Sequence, residues 1–179
     1  MLPAENHIYP VQYESRLTLK NGKEVLIRPV TYTDESLIVD LSRRLSAESL
    51  HLRFLRLVSA RSKDFLFQLT HLDYDKNFAL AAVIRENGKD AIIGVARYGY
   101  DPDDRITDFA VSVRDDWQRL SLGKSLLLRI FAIGREHGIT RFTSIIDSTN
   151  HMMKNALRNL GYEVKYSYEN GSTQVEVLV

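Results

Sequence analysis

The stretch that decides the fold is TDFAVSVRDDWQRLSLGKSLLLRIFAIGR, residues 107–135. Its first seven residues alternate, with large apolar side chains at 109, 111 and 113 and small or polar ones between them. A period of two predicts a strand that is buried on one side. Apolar residues then recur at helical spacing from Leu122 to Phe131, and Gly138 closes the segment. The stretch therefore predicts a strand, a short polar loop and a long helix.

The start of this helix is a candidate anion site. The first backbone N–H groups of a helix have no partner within the helix, and they coincide with the positive end of the helix dipole. A helix that begins directly after a short loop can therefore bind a phosphate group. Arg119 and Lys124 flank the predicted start and could add positive charge, although solvated basic side chains would look the same in the sequence.

Composition limits the classes of function. The chain has 179 residues, 44% hydrophobic content, a formal net charge of +1 and no cysteine. These values predict one globular domain and argue against a nucleic-acid-binding protein, a disulfide scaffold and a Cys nucleophile. Five scattered histidines predict no metal site, and the longest apolar run, 78–84, is too short to cross a membrane. We expect a soluble cytoplasmic protein, with 1–15 as a tail or edge extension and 16–179 as a single domain.

The remaining segments predict strands and helices in mixed order. Turn signals such as Asn21-Gly22 and Asn87-Gly88 indicate hairpins. The predicted strands are 16–19, 24–30, 78–85, 91–100, 107–113, 142–147, 162–168 and 173–179, and the predicted helices are 33–45, 46–57, 62–71, 122–137 and 152–160. This order predicts an α/β (α+β) fold with a mixed central sheet flanked by helices on both faces.

Residues 118–123, Gln-Arg-Leu-Ser-Leu-Gly, resemble the Gln/Arg-x-x-Gly-x-Gly/Ala signature of the GNAT acetyltransferases, with Ser121 where the family usually has glycine. The order of elements is also that of the GNAT fold, which extends the resemblance over residues 24–179. The phrases at 46–54 and 108–111 resemble those of the bacterial protein-lysine acetyltransferase (Pat-like) subfamily.

The resemblance implies acetyl-CoA as co-substrate and indicates where it binds. In the family, the strand pairs with the pantetheine arm and the loop and helix start hold the pyrophosphate. The cofactor-binding residues implied in this way are Val111, Ser112, Val113, Gln118, Arg119, Leu120, Ser121, Leu122, Gly123, Lys124, Ser125 and Asn150. The backbone N–H near Val113 would polarise the thioester carbonyl.

Asp108 is the candidate catalytic base. An ammonium has no lone pair, and the free lysine amine has a pKa of about 10.4, so the reaction needs a proton acceptor. Spacing alone favours an ordinary surface carboxylate for Asp108, whereas its place in the family phrase favours the base. Aspartate is one methylene shorter than the glutamate usual there, which favours proton transfer through a water molecule.

Two further residues have alternative interpretations. Ser121 could cap the helix through its side chain or contact a phosphate, and Asn150 could cap the next helix, contact the cofactor, or do both. Many GNAT enzymes carry a tyrosine as general acid at the position of Leu157, so this chain lacks that acid.

The sequence as a whole predicts an acetyl-CoA-dependent N-acetyltransferase that acts on a primary amine by direct attack. A protein lysine and a small amine remain open as acceptors, and the resemblance leaves a homodimer open. A catalytically weak acyl-CoA-binding regulatory module is the alternative from another class.

Overall fold

A computed structural model describes residues 8–53 and 63–179. Residues 1–7 of the predicted tail and the predicted helical positions 54–57 and 62 lie outside this range. Within it, the observed elements follow the predicted order. The strands are β1 (Ser15–Thr18), β2 (Glu24–Pro29), β3 (Asn77–Glu86), β4 (Lys89–Asp101), β5 (Ile106–Val113), β6 (Arg141–Asp147), β7 (Glu163–Glu169) and β8 (Ser172–Leu178). The helices are α1 (Glu35–Arg43), α2 (Ala47–Arg53), α3 (Lys63–Thr70), α4 (Leu122–Glu136) and α5 (His151–Arg158).

The eight strands form one sheet in the order β1-β2-β3-β4-β5-β6-β8-β7. Neighbouring strands are antiparallel except β5 and β6, which run parallel. A parallel pair needs a crossover connection, and α4 supplies it. The C-terminal ends of β5 and β6 therefore lie at the same end of the sheet, next to the start of α4.

Two apolar cores cover the two faces of the sheet. On one face α4 packs through Phe131 against Phe109 of β5 and Phe142 of β6, with ring centroids 5.0 and 4.7 Å apart. On the other face the buried residues of α1 and α3, among them Leu41 and Leu66, pack against alternate residues of β3. Helices on both faces of a mixed sheet are the arrangement that the sequence predicted.

Candidate active site

The sheet opens between β5 and β6. A single residue pair, Asp108 with Thr143, joins these strands, whereas β5 pairs with β4 along its whole length from Ile106 to Val113. The Thr143 hydroxyl donates a hydrogen bond of 3.4 Å to the Thr107 carbonyl and closes the narrow end. Beyond Asp108 the strands part, and a cavity of about 660 Å³ extends from this point to the start of α4.

Backbone pairing with β4 fixes which polar groups of β5 face the opening. The Arg114 N–H donates to the Ile93 carbonyl over 2.8 Å, so these residues form a hydrogen-bonded pair of the antiparallel ladder. Such pairs alternate along a strand, so the backbone groups of 108, 110 and 112 also turn toward β4. The backbone groups of Phe109, Val111 and Val113 point the other way: those of Phe109 face Thr143 across the Asp108–Thr143 pair, whereas those of Val111 and the Val113 N–H face the opening. An extended ligand can pair with them as an added strand would.

The loop between β5 and α4 contains two residues in the left-handed region, Arg119 (φ 60°) and Ser121 (φ 66°). Ser121 occupies the N-cap position of α4, and its carbonyl accepts from the Ser125 N–H at 3.0 Å, but its side chain makes no capping hydrogen bond. The interpretation of Ser121 as a side-chain cap is therefore wrong. Ser121 lines the cavity at the start of α4.

Gln118 holds this loop against the end of β5. Its side-chain amide donates to the Val113 carbonyl over 3.0 Å and to the Ser49 hydroxyl over 3.2 Å. Arg114 is buried and pairs with Asp116 on the loop and Glu86 on β3. These contacts fix the position of the loop relative to the sheet, and with it the start of α4.

Helix α2 lies across the opening and is attached on both sides. On the β5 side, the Asp115 carboxylate accepts hydrogen bonds of 2.7 to 2.9 Å from the Ser46 N–H, the Ser46 hydroxyl and the Ser49 hydroxyl. Partial burial raises the pKa of Asp115, but these hydrogen bonds outweigh it and hold the pKa below its usual range. On the β6 side, His51 Nε2 lies 3.6 Å from an oxygen of Asp147.

Asp108 lies at the narrow end of the cavity, with its side chain on the same face of the sheet as α2. Its partner on β4 is Gly99, and the Arg97 guanidinium lies over that glycine, because a Cβ built on Gly99 would come within 3.1 Å of Arg97 Nη2. Arg97 is partly exposed along its length, yet burial lowers the pKa of its guanidinium while Asp108 raises it.

Helix α5 forms the wall opposite α4. The buried Asn150 side chain accepts from the Met153 N–H at 3.0 Å, so it caps α5, and Asn150 also lines the cavity. The capping interpretation is therefore confirmed, and contact with the cofactor stays a prediction. Leu157 is fully buried in the core and does not line the cavity, so its position could not present a general acid without rearrangement of the core.

Eleven of the thirteen predicted site residues line this one cavity. Leu120 and Ser125 do not, since Leu120 packs against the core and the Ser125 N–H makes the first hydrogen bond of α4. The sequence reasoning missed lining residues that distant elements bring in; among them are Lys20, Ser49, Leu52, Ile145 and Met152. Only Ser49 and Leu52 had a sequence signal, because they belong to the phrase at 46–54.

Two negative findings concern the described ranges 8–53 and 63–179. No group of three or more His, Asp or Glu side chains is placed to hold a metal ion there. Nor is any helix in those ranges long and apolar enough to cross a membrane.

Comparison with known proteins agrees with this geometry. The model of the acetyltransferase (GNAT) family matches residues 47–162. An acetyltransferase of Pseudomonas aeruginosa is 30% identical over 158 residues, which cover 88% of this chain and 84% of that protein.

Solved structures show the same fold. The GNAT domain of S. lividans PAT superposes with a TM-score of 0.85 at 28% identity, covering 96% of this chain and 99% of that one. The yncA structure from Salmonella typhimurium, solved with its cofactor acetyl-CoA, has a TM-score of 0.67 at 17% identity and covers 87% and 92% of the two chains. The predicted GNAT fold is thus confirmed.

Proposed function

Because this chain belongs to the acetyltransferase (GNAT) family, we propose that it transfers the acetyl group of acetyl-CoA to a primary amine by direct attack. The observation that carries the proposal is the opening between β5 and β6. It offers unpaired backbone groups of one strand to an extended ligand and ends at a helix start that suits phosphates.

In this proposal, acetyl-CoA lies along the cavity with its phosphates at the wide end. The pyrophosphate lies against the first N–H groups of α4, beside Ser121 and Gly123. The pantetheine arm pairs with the free edge of β5 at Val111 and Val113, which directs the thioester toward the narrow end. The Val113 carbonyl is already used by Gln118, so at this end the Val113 N–H remains for the pantetheine arm. The Val111 N–H, which lies nearer to Asp108 along β5, is the group that would polarise the thioester carbonyl.

The amine approaches from the α2 side, where Asp108 lies. Its lone pair attacks the carbonyl carbon, the C–N bond forms, and the C–S bond breaks as the coenzyme A thiolate leaves. The proton lost from the attacking nitrogen passes to Asp108, directly or through one water molecule. The carboxylate lies within electrostatic range of the Arg97 guanidinium. The products are an N-acetylated amine and coenzyme A.

The test is Asp108→Asn with two readouts. The amide keeps the shape but is not a proton acceptor, so turnover should fall about 10²- to 10⁴-fold. Affinity for acetyl-CoA, measured by calorimetry, should change little, because the lost interaction belongs to the transition state. The residual rate should recover as pH rises and more of the amine is free. Asp108→Glu should keep or raise activity.

The matched control is Asp103→Asn, an exposed aspartate in the turn between β4 and β5 that does not line the cavity. Thiol release is followed with a lysine-containing peptide and with a panel of small primary amines. Full activity of Asp108→Asn at neutral pH would remove Asp108 from the mechanism. Binding of acetyl-CoA without turnover on any amine would point instead to the acyl-CoA-binding module.

A further inference from the structure

The turn between β1 and β2 reaches the anionic end of the cavity. The turn is tight, with the Gly22 N–H donating to the Leu19 carbonyl over 2.9 Å and Gly22 at φ 78°. Leu19 is buried in the same core as Trp117 of the loop before α4, and Lys23 Nζ lies 4.9 Å from the Trp117 ring. The turn is therefore anchored on the loop that begins α4, although about a hundred residues separate them in sequence.

Lys20 is the residue of this turn that lines the cavity, and its side chain is exposed. Among the described residues that line the cavity, the cationic ones are Lys20, Arg119 and Lys124, and the carboxylate is Asp108, at the narrow end. The two acids of the adjoining loop do not line the cavity: Asp115 accepts hydrogen bonds from α2, and Asp116 pairs with Arg114. The charged side chains that line the wide end are thus positive.

Coenzyme A brings two kinds of phosphate to that end. The pyrophosphate takes the N–H groups at the start of α4. The 3′-phosphate is a monoester, and such groups carry a charge of about −1.5 to −2 at pH 7. The 3′-phosphate lies farther from the helix start than the pyrophosphate does. A cation at the exposed rim of the cavity, on a different element from α4, could therefore contact it.

We propose that Lys20 binds the 3′-phosphate of the cofactor, so that the β1–β2 turn forms a third wall of the coenzyme A site. This inference rests on the proposed function, since it takes acetyl-CoA as the ligand. It assigns the turn a part in binding that neither the motif at 118–123 nor the resemblance implied.

The experiment compares two cofactors. Lys20→Met keeps an apolar stem of similar length and removes the charge, and the exposed position leaves the fold intact. Calorimetry with acetyl-CoA should show an affinity about three- to tenfold weaker than wild type, the range for losing a charge-assisted contact at a partly exposed site. With 3′-dephospho-acetyl-CoA, Lys20→Met and the wild type should bind within about twofold of each other.

The matched control is Lys76→Met, which makes the same change of charge next to the start of β3, at the opposite end of the sheet. It should leave the affinity for both cofactors unchanged, and both variants should unfold at the wild-type temperature without ligand. An unchanged affinity of Lys20→Met for acetyl-CoA would overturn the proposal, as would an equal loss with both cofactors. Failure of the wild type to bind acetyl-CoA would instead overturn the proposed function itself.

Discussion

Gly134 and Gly123 both lie in α4, and an added methyl group should have opposite effects at the two positions. At Gly134 an ideal Cβ would lie 2.4 Å from Cζ of Phe142 and 3.3 Å from Cε1 of Tyr98. At Gly123 the nearest atom would be Cγ2 of Val113 at 3.6 Å, an ordinary contact. Both substitutions add the same helix propensity, so the surroundings decide the difference.

The loss of stability expected for Gly134→Ala depends on how far the ring of Phe142 can move. Phe142 is fully buried and packs against Phe131 at 4.7 Å and Tyr98 at 5.6 Å between ring centroids, so it has little room to shift by the ångström required. Overpacking of this kind costs about 1–3 kcal/mol, which exceeds the gain of up to about 1 kcal/mol from alanine in a helix. We expect Gly134→Ala to lower stability by about 1–2 kcal/mol and Gly123→Ala to raise it by up to about 1 kcal/mol.

The assay is urea and thermal unfolding followed by circular dichroism. For a domain of this size, 1 kcal/mol corresponds to about 2–4 °C in Tm. The double variant Gly134→Ala with Phe142→Leu should lose less than the sum of the two single losses, because the smaller side chain makes room for the methyl group. A Gly134→Ala variant as stable as Gly123→Ala would show that the aromatic cluster yields easily and that the reasoning is wrong.

The remaining predictions concern the loop before α4. Hydrogen bonds hold the pKa of Asp115 low in the folded state, so the stability they contribute is complete above the unfolded pKa of about 4 and is lost as pH falls through the lower folded pKa. Asp115→Asn should therefore lower the free energy of unfolding by up to about 1 kcal/mol at pH 7, a value discounted for the exposure of Asp115. In urea unfolding, the difference in stability between this variant and the wild type should narrow below about pH 4. A difference that does not change with pH would contradict this. Ser121→Gly should raise stability by about 1 kcal/mol, because glycine adopts positive φ without strain and no capping bond is lost. Calorimetry should show an acetyl-CoA affinity that is unchanged or modestly tighter, and a clear loss would show that the hydroxyl is a ligand.

The order and type of the elements could be predicted because they depend on local patterns. The alternation at 107–113 gave the strand to within one residue of its observed start at Ile106. Asn87-Gly88 lies in the tight turn between β3 and β4, with both residues at positive φ. Half-buried strands leave an alternating pattern in the sequence, and turns that need positive φ leave Asn-Gly pairs. Both features can therefore be recognised from a few neighbouring residues.

The cavity itself could not be predicted from local patterns. It exists because β5 and β6 share one residue pair and then part, and that register depends on α4 and on the packing of Phe142. Lys20 reaches the cavity through the pairing of β1 with β2 and the burial of Leu19, and no signal at Lys20 itself reveals this. Ser121 shows why residue preferences alone mislead. Serine favours side-chain caps, but here it has a positive φ, a conformation that favours glycine, the residue usual at this position of the signature.

For the proposed reaction, the side chains around the cavity indicate which proton transfer the site would have to assist. Among the described residues that line it, Asp108 is the carboxylate, and there is no tyrosine, histidine or cysteine. A thiol has a pKa of about 8.5, so a thiolate can leave without being protonated, whereas the attacking amine, with a pKa of about 10.4, arrives mostly as an ammonium at neutral pH. The more difficult transfer is therefore the one on the amine side, where Asp108 and Arg97 lie. The absence of a general acid at Leu157 should therefore lower the rate of the proposed reaction little. We expect activity to depend far more on the side chain at 108 than on a tyrosine introduced at 157.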